Sequence, residues 1–244
     1  MPQEIWILLI GLIAGFVGAI AGGGGLISIP LLLFFGIPPQ ITLATNKFGG
    51  LGLSVGALYK FIKEKKVIWK YAIFLSISGI AGSLIGSQIL LTVDTNVLQK
   101  AIGGLLIILT PTILIKKSFG IEEQTAPRRR KIIGYVLYFL LSILASFFGG
   151  LGVLLMGIVI FNFGLPIIKA NATELVSYSV FSLTSVIIFA FNGIIDYKVG
   201  LVLFLGMLIG GYLGAHTAIK KGNVWVKYFF TLVIIASAIK ILFF

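Results

Sequence analysis

The sequence predicts an all-α polytopic membrane protein made of two inverted repeats, each of about five hydrophobic segments, with short re-entrant or broken helices at Gly-rich tips. Three observations carry this. The chain has 244 residues, of which 59% are hydrophobic and only 11% charged, with mean hydropathy +1.14; soluble domains carry about 25% charged residues. Its apolar runs have lengths suited to a bilayer. Its two halves match each other at a nearly constant offset.

Between charged and Gly/Pro breaks, the apolar segments run over 5–21, 25–36, 41–62, 67–90, 97–116, 132–148, 152–163, 169–191, 197–218 and 225–243. The second and seventh have about 12 residues, too few to span at about 1.5 Å per residue. They read as arms of hairpins that dip into the bilayer and return. The first run is no secretory signal, because Met1-Pro2-Gln3-Glu4 has no basic region and no small-residue cleavage site follows. Lys116 to Lys131, with Pro127 and Arg128-Arg129-Arg130, is the one stretch resembling a soluble linker. The expected organisation is a first transmembrane repeat over 1–117, a cytoplasmic linker over 118–131 and a second repeat over 132–244.

The repeat shows in its breaker residues. Gly22-Gly23 pairs with Gly149-Gly150 at an offset of 127, and Gly25 with Gly152. From there the offset is 128: Gly36-Ile37-Pro38 with Gly164-Leu165-Pro166, Ala44-Thr45 with Ala172-Thr173, and Gly82 and Gly86 with Gly210 and Gly214. Charge orients the copies. Of the 19 basic residues, 14 cluster at Lys60–Lys70, Lys116–Lys131 and Lys220–Lys227, and cytoplasmic loops are the basic ones. The connections near Asp94 and Asp196 are basic-poor and fall outside. The loop around Lys63 is then inside and its repeat mate near Asp196 outside, which makes the repeats inverted. The expected location is the plasma membrane, multi-pass, with both termini extracytoplasmic.

Chemistry is expected at the tips. Gly22, Gly23, Gly24 and Gly25 precede a short helix, and Gly149, Gly150 and Gly152 repeat the arrangement. Glycine admits close backbone approach, and a helix N-terminus offers unpaired N–H groups to an anion. Polar residues follow each tip: Thr45, Asn46 and Lys47 in the first half, Asn171, Thr173 and Glu174 in the second. Together these are the candidate substrate-binding set. Lys47 can supply a point charge to an anion, and Glu174 is the candidate for proton coupling. The alternative is that Lys47 and Glu174 neutralise each other, with Lys169 as a positive-inside anchor. Gln88 and His216 are weaker candidates. Gly15, Gly18, Gly82, Gly86, Gly210 and Gly214 read as helix-packing glycines. Trp6, Trp69 and Trp225 read as interfacial anchors.

Several classes are excluded. With no Cys and one His, disulfides, thiolate metal sites and a Cys nucleophile are ruled out, and no metal site or cofactor is expected. No Walker lysine follows either tip, and no hydrolase or zinc-protease motif is present. The protein is not expected to be an enzyme. The formal charge of +12 is explained by the inside loops, so nucleic acid is not an expected partner.

GFVGAIAGGGGLISIPLLL followed by PPQITLATNKFGG resembles the first half of the TauE/SafE sulfite-exporter family. FFGGLG, KANATELVSYS and GGYLGAHTAIKKGNVWVKYFFTLVIIASAIKIL resemble its second half. Where the family often has Arg in a GAR-type position, this chain has His216. The resemblance covers nearly the whole chain. It implies a secondary transporter, in the export direction, of small sulfur-containing oxyanions such as sulfite or organosulfonates, bound at the midplane between the repeats. Another small organic or inorganic anion, moved by a transporter or channel, and a non-transporting membrane scaffold are the alternatives. The expected partners are the anionic substrate and the lipid bilayer, and a homo-oligomer is compatible with the sequence.

Overall fold

Among the residues that the computed structural model describes, 3–92 and 120–243 (233–243 as helix backbone), every regular element is a helix. In chain order they are α1 (Gln3–Ala21), α2 (Gly24–Phe34), α3 (Pro39–Lys63), α4 (Trp69–Thr92), α5 (Arg128–Ala145), α6 (Gly152–Phe163), α7 (Ile167–Phe191) and α8 (Tyr197–Phe243). The expected segment over 97–116, the connection near Asp94 and the first residues of the linker lie outside the described residues. Elsewhere the helices agree with the apolar runs to within a few residues. There is one departure: α5 starts at Arg128, behind Pro127 in extended conformation, so the linker's last basic residues form its first turn. The last two runs form the two helical stretches of α8, which meet at a kink at Gly222, whose φ of 82° breaks the helical path between the expected runs.

Four described helices are long and apolar enough to cross a membrane: α1, α4, α7 and α8 over Tyr197–Leu232. At 25 residues α3 extends about 38 Å, but Thr42, Thr45, Asn46, Lys47 and several glycines dilute its apolar character. α2 and α6, with 11 and 12 residues, reach only about 16–18 Å and cannot span a core of about 30 Å.

A lipid environment gives apolar helices no hydrophobic reason to associate, so close backbone packing through small residues does that work. Gly82 and Gly86 press α4 onto the carbonyls of Phe139 and Ile143 in α5, while Gly210 and Gly214 press α8 onto those of Leu12 and Phe16 in α1. No Cβ fits at these four positions. The helix neighbours repeat in the same sense: α1 packs on α8 as α5 packs on α4, and α3 on α8 as α7 on α4, with α3 and α7 against each other at the centre. Large apolar side chains such as Ile13, Ile73, Ile77, Leu84, Val136 and Leu140 stay exposed on the perimeter, where lipid would cover them.

Two ends can be distinguished by their bonds. At one, the N–H of Ile68 donates to Thr173 Oγ1 at 3.0 Å, Lys169 Nζ pairs with Glu123 at 2.7 Å, and Asn223 links Ile168 to the Ile121 carbonyl. This end gathers the described parts of the three basic-rich connections. At the other, the N–H of Asp196 donates to Thr45 Oγ1 at 3.0 Å and Lys198 lies 3.5 Å from Glu4.

Candidate anion site between the glycine tips

The chain turns from α1 into α2 at Gly22, whose φ of 74° is the left-handed conformation that glycine adopts freely. There the two tips meet. A Cβ on Gly22 would sit 2.7 Å from the backbone of Gly152, and one on Gly25 would overlap that of Gly149. The contacts are crosswise: the first glycine of each tip faces the last of the other. Neither helix that starts here has a side-chain cap, since Gly23 and Leu151 occupy the cap positions. The first-turn N–H groups of α2 and α6 thus have no side-chain acceptor.

A narrow cavity lies beside this crossing. Its wall contains Gly22, Gly24, Gly25, Gly149 and Gly152 from the tips, Asn46 from α3, and Asn171, Glu174 and Tyr178 from α7; Gly18, Gly50, Leu53, Leu175 and Met207 complete it. Of the residues expected from sequence, the cavity therefore collects five tip glycines, both asparagines and Glu174. Gly23 and Gly150 are buried close by without lining it. Gly24 also sets a helix contact, because a Cβ there would lie 2.6 Å from the Ala14 carbonyl oxygen of α1.

The two asparagines are held in different ways. Asn46 Oδ1 accepts from the Ser28 hydroxyl of α2, and its Nδ2 packs against Gly149. Asn171 Nδ2 donates to the carbonyls of Ala19 at 2.6 Å and Ile20 at 3.3 Å, on the last turn of α1. Thr45 and Thr173 are fully buried but serve as acceptors for loop N–H groups, away from the cavity wall.

Lys47 is also fully buried and does not line the cavity. Its ammonium donates to Ser182 Oγ at 3.2 Å and lies over the rings of Tyr178 and Phe181, 4.5 and 4.8 Å from their centroids. Such faces attract cations, the more so when water is excluded. Tyr178 therefore separates the ammonium from the cavity. Glu174, 2% exposed, makes no salt bridge with Lys47 or Lys169 among the described residues; Lys169 pairs with Glu123. Tyr138 of α5 places its hydroxyl near the Glu174 carboxyl without a hydrogen bond of good geometry.

Gln88 and His216 lie elsewhere. Both are exposed, and His216 stacks on Tyr212 with centroids 6.4 Å apart. Sequence reasoning did not reach Tyr178, Tyr138, Ser28 or Ser182. None carries a motif, and each acts through a contact between helices distant in sequence. Gly18, read as a packing glycine, does meet Leu53 and Gly24, yet it also lines the cavity.

The family profile described as "Sulfite exporter TauE/SafE" matches residues 7–241. A "Probable membrane transporter protein" of Haemophilus influenzae is 31% identical over 221 residues, covering 89% of this chain and 86% of that protein. The "Probable membrane transporter protein ORF9" of a Sinorhizobium species is 32% identical over 232 residues, covering 94% and 88%. The "Probable membrane transporter protein YfcA" of Escherichia coli K12 is 25% identical over 238 residues, covering 96% and 86%. No solved structure gives a significant match. With the helical architecture and a profile match over almost its full length, this chain belongs to the sulfite exporter TauE/SafE family of membrane transporters.

Proposed function

We propose that this protein is a secondary transporter that exports small sulfur-containing oxyanions of the sulfite or organosulfonate class, and that it binds them in the cavity between the glycine tips. The observation that carries this reading is the cavity itself, walled by Gly22, Gly24 and Gly25 from one half and Gly149 and Gly152 from the other. Two helix starts without side-chain caps border it, and a helix N-terminus favours negative charge. Asn46, whose Oδ1 is held by Ser28 and whose Nδ2 lies against Gly149, adds an N–H donor, and Lys47 adds a positive field from behind Tyr178. An oxyanion can accept several N–H donors at once, which suits glycine tips whose backbone is not masked by side chains.

The halves 1–117 and 132–244, flanking the linker 118–131, are read as inverted repeats. Supporting this are the reciprocal glycine contacts, the exchanged Thr45 and Thr173 bonds and the gathering of basic connections at one end. That end is assigned to the cytoplasm, which leaves both termini extracytoplasmic. The family name and the sulfur class agree, and the choice of sulfur over other oxyanions is the part to be tested.

The test is a thermal-shift series on purified protein with sulfite, sulfate, thiosulfate and sulfoacetate, against acetate and succinate. A ligand of the native state at 100 times its Kd adds about 2.7 kcal/mol of stability. A shift confined to the sulfur oxyanions is expected. Equal shifts with the carboxylates would replace the sulfur class by a general anion site.

A further inference from the structure

Two acceptor atoms on residues of the cavity wall have no hydrogen-bond partner, and the Tyr138 hydroxyl near Glu174 makes no bond of good geometry to it. Asn171 and Glu174 stand three residues apart on α7, so they share a helix face, and each is 2% exposed. Asn171 spends its amide N–H groups on the carbonyls of Ala19 and Ile20. Turning the amide over would set oxygen against two carbonyl oxygens, so its orientation is decided by the bonds it makes. Its Oδ1 is left without a partner, as is Glu174 Oε1. Both residues line the same cavity. Buried acceptors of this kind demand a donor.

The surrounding charges narrow what that donor is. The titratable groups facing Glu174 are Lys47 from α3 and Tyr138 from α5, with Tyr178 on its own helix. Among the described residues, none faces it from α1, α2, α4, α6 or α8. The Lys47 ammonium can balance one negative charge, and with the cavity empty the Glu174 carboxylate is the acidic group placed to supply it. With an anion bound, a carboxylate alongside it would place two negative charges in one buried space, where they repel strongly. A metal cation would instead add a second positive charge beside Lys47.

Resting on the cavity as the anion site, we propose that Asn171 Oδ1 and Glu174 Oε1 form a proton-binding site, in which the neutral Glu174 carboxyl donates its O–H to Asn171, and that the anion is carried together with this proton. The cycle balances. A proton from the medium on the open side protonates the Glu174 carboxylate as the anion enters, so Lys47 exchanges one negative partner for another. On the opposite side the anion leaves, the proton follows, and the carboxylate again balances Lys47. Asn171 is a positioning residue: it holds the acid proton and is itself held by the end of α1.

The experiment is proton uptake by the full chain in weakly buffered detergent at pH 7, followed with an indicator dye as methanesulfonate or isethionate is added, since both are monoanions that do not titrate there. Wild type should take up about one proton per anion bound. Glu174→Gln, whose amide also donates to Asn171, should bind the anion with no uptake. Anion binding without proton uptake in wild type, or uptake unchanged in Glu174→Gln, overturns the proposal while leaving the anion site standing.

Infrared titration of the protein without anion tests the site separately. A carboxylic-acid C=O band should grow as pH falls, vanish in Glu174→Gln, and move to higher frequency in Asn171→Leu and Glu174→Asp, where the hydrogen bond is lost or lengthened. Two variants guard against one failing to fold. Absence of the band in wild type, or a band that neither variant moves, overturns the proposal whether or not any tested anion binds. Replacing sodium by choline should leave both readouts unchanged; stabilisation by sodium that Glu174→Gln abolishes would make the site a metal-cation site and overturn the proton.

Discussion

Thr45 and Thr173, 128 residues apart, each accept a backbone N–H from the other half of the chain: Thr45 from Asp196 and Thr173 from Ile68, both at 3.0 Å. Asp196 and Ile68 are themselves 128 residues apart. Each threonine lies in the N-terminal third of a central helix and anchors the loop before the helix that packs behind it. The two halves are thereby tied at both ends of the molecule, around the cavity between the tips.

Replacing either threonine by valine keeps the shape and removes the acceptor. A buried donor left unpaired costs about 1–3 kcal/mol. Thr45→Val and Thr173→Val should each lower thermal stability by that order, and the double variant by about the sum, since the sites lie far apart. Thermal denaturation in detergent checks this; a change at only one site would deny the equivalence of the two ties.

The proposed inversion of the two halves makes a statement about sidedness. Lys63, the last residue of α3, and Asn192, just after α7, lie at the matching helix ends of the two halves and are both exposed. A cysteine at Asn192 should react with an impermeant maleimide added to intact cells, and a cysteine at Lys63 only after lysis. Labelling of both from one side would rule out inversion.

Much of this fold is legible in the sequence because glycine and helix length are strong signals. The two short helices follow from runs too brief to span, and their tips from Gly22–Gly25 and Gly149–Gly152. The packing role of Gly82, Gly86, Gly210 and Gly214 follows from their small-residue spacing. Charge at the linker end suggests solvent, but Arg128–Lys131 open a helix and Arg130 lies 4.3 Å over the Phe161 ring. The site was only partly legible. Asn46, Asn171 and Glu174 stand out as polar groups in apolar helices, but which of their atoms remain free depends on Ser28, Ala19 and Ile20, contacts that no spacing reveals. Likewise, nothing near Lys47 in the sequence indicates that Tyr178 and Phe181 enclose its ammonium.

Helix packing through glycine predicts a contrast along α4. Gly86→Ala pushes a methyl group into the Ile143 carbonyl, and overpacking of this kind costs about 1–3 kcal/mol. Its counterpart Gly214→Ala should cost about the same, whereas Ile77→Ala, at a position 60% exposed, should stay within about 0.5 kcal/mol. Melting temperatures of the three purified variants decide the matter.

Lys47 acts on the anion through its field rather than by touching it. Lys47→Met keeps the volume and should weaken anion binding about tenfold, or 1.4 kcal/mol. It also leaves Glu174 without its compensating charge. Adding Glu174→Gln should restore the melting temperature of Lys47→Met but not its anion affinity. Recovery of affinity in the double variant would mean that Lys47 serves only to neutralise Glu174.

The central claim, that a sulfur oxyanion is carried through the cavity between the two glycine tips, is tested most directly by counterflow in proteoliposomes loaded with unlabelled sulfoacetate. Wild type should accumulate labelled sulfoacetate transiently. Asn46→Leu removes a polar group from the cavity wall while Ser28 keeps its bond to the Gly24 carbonyl, and it should fold normally yet lose most of that accumulation. Counterflow by Asn46→Leu equal to that of wild type, or its absence from wild type with sulfoacetate, sulfite and thiosulfate alike, would contradict the account.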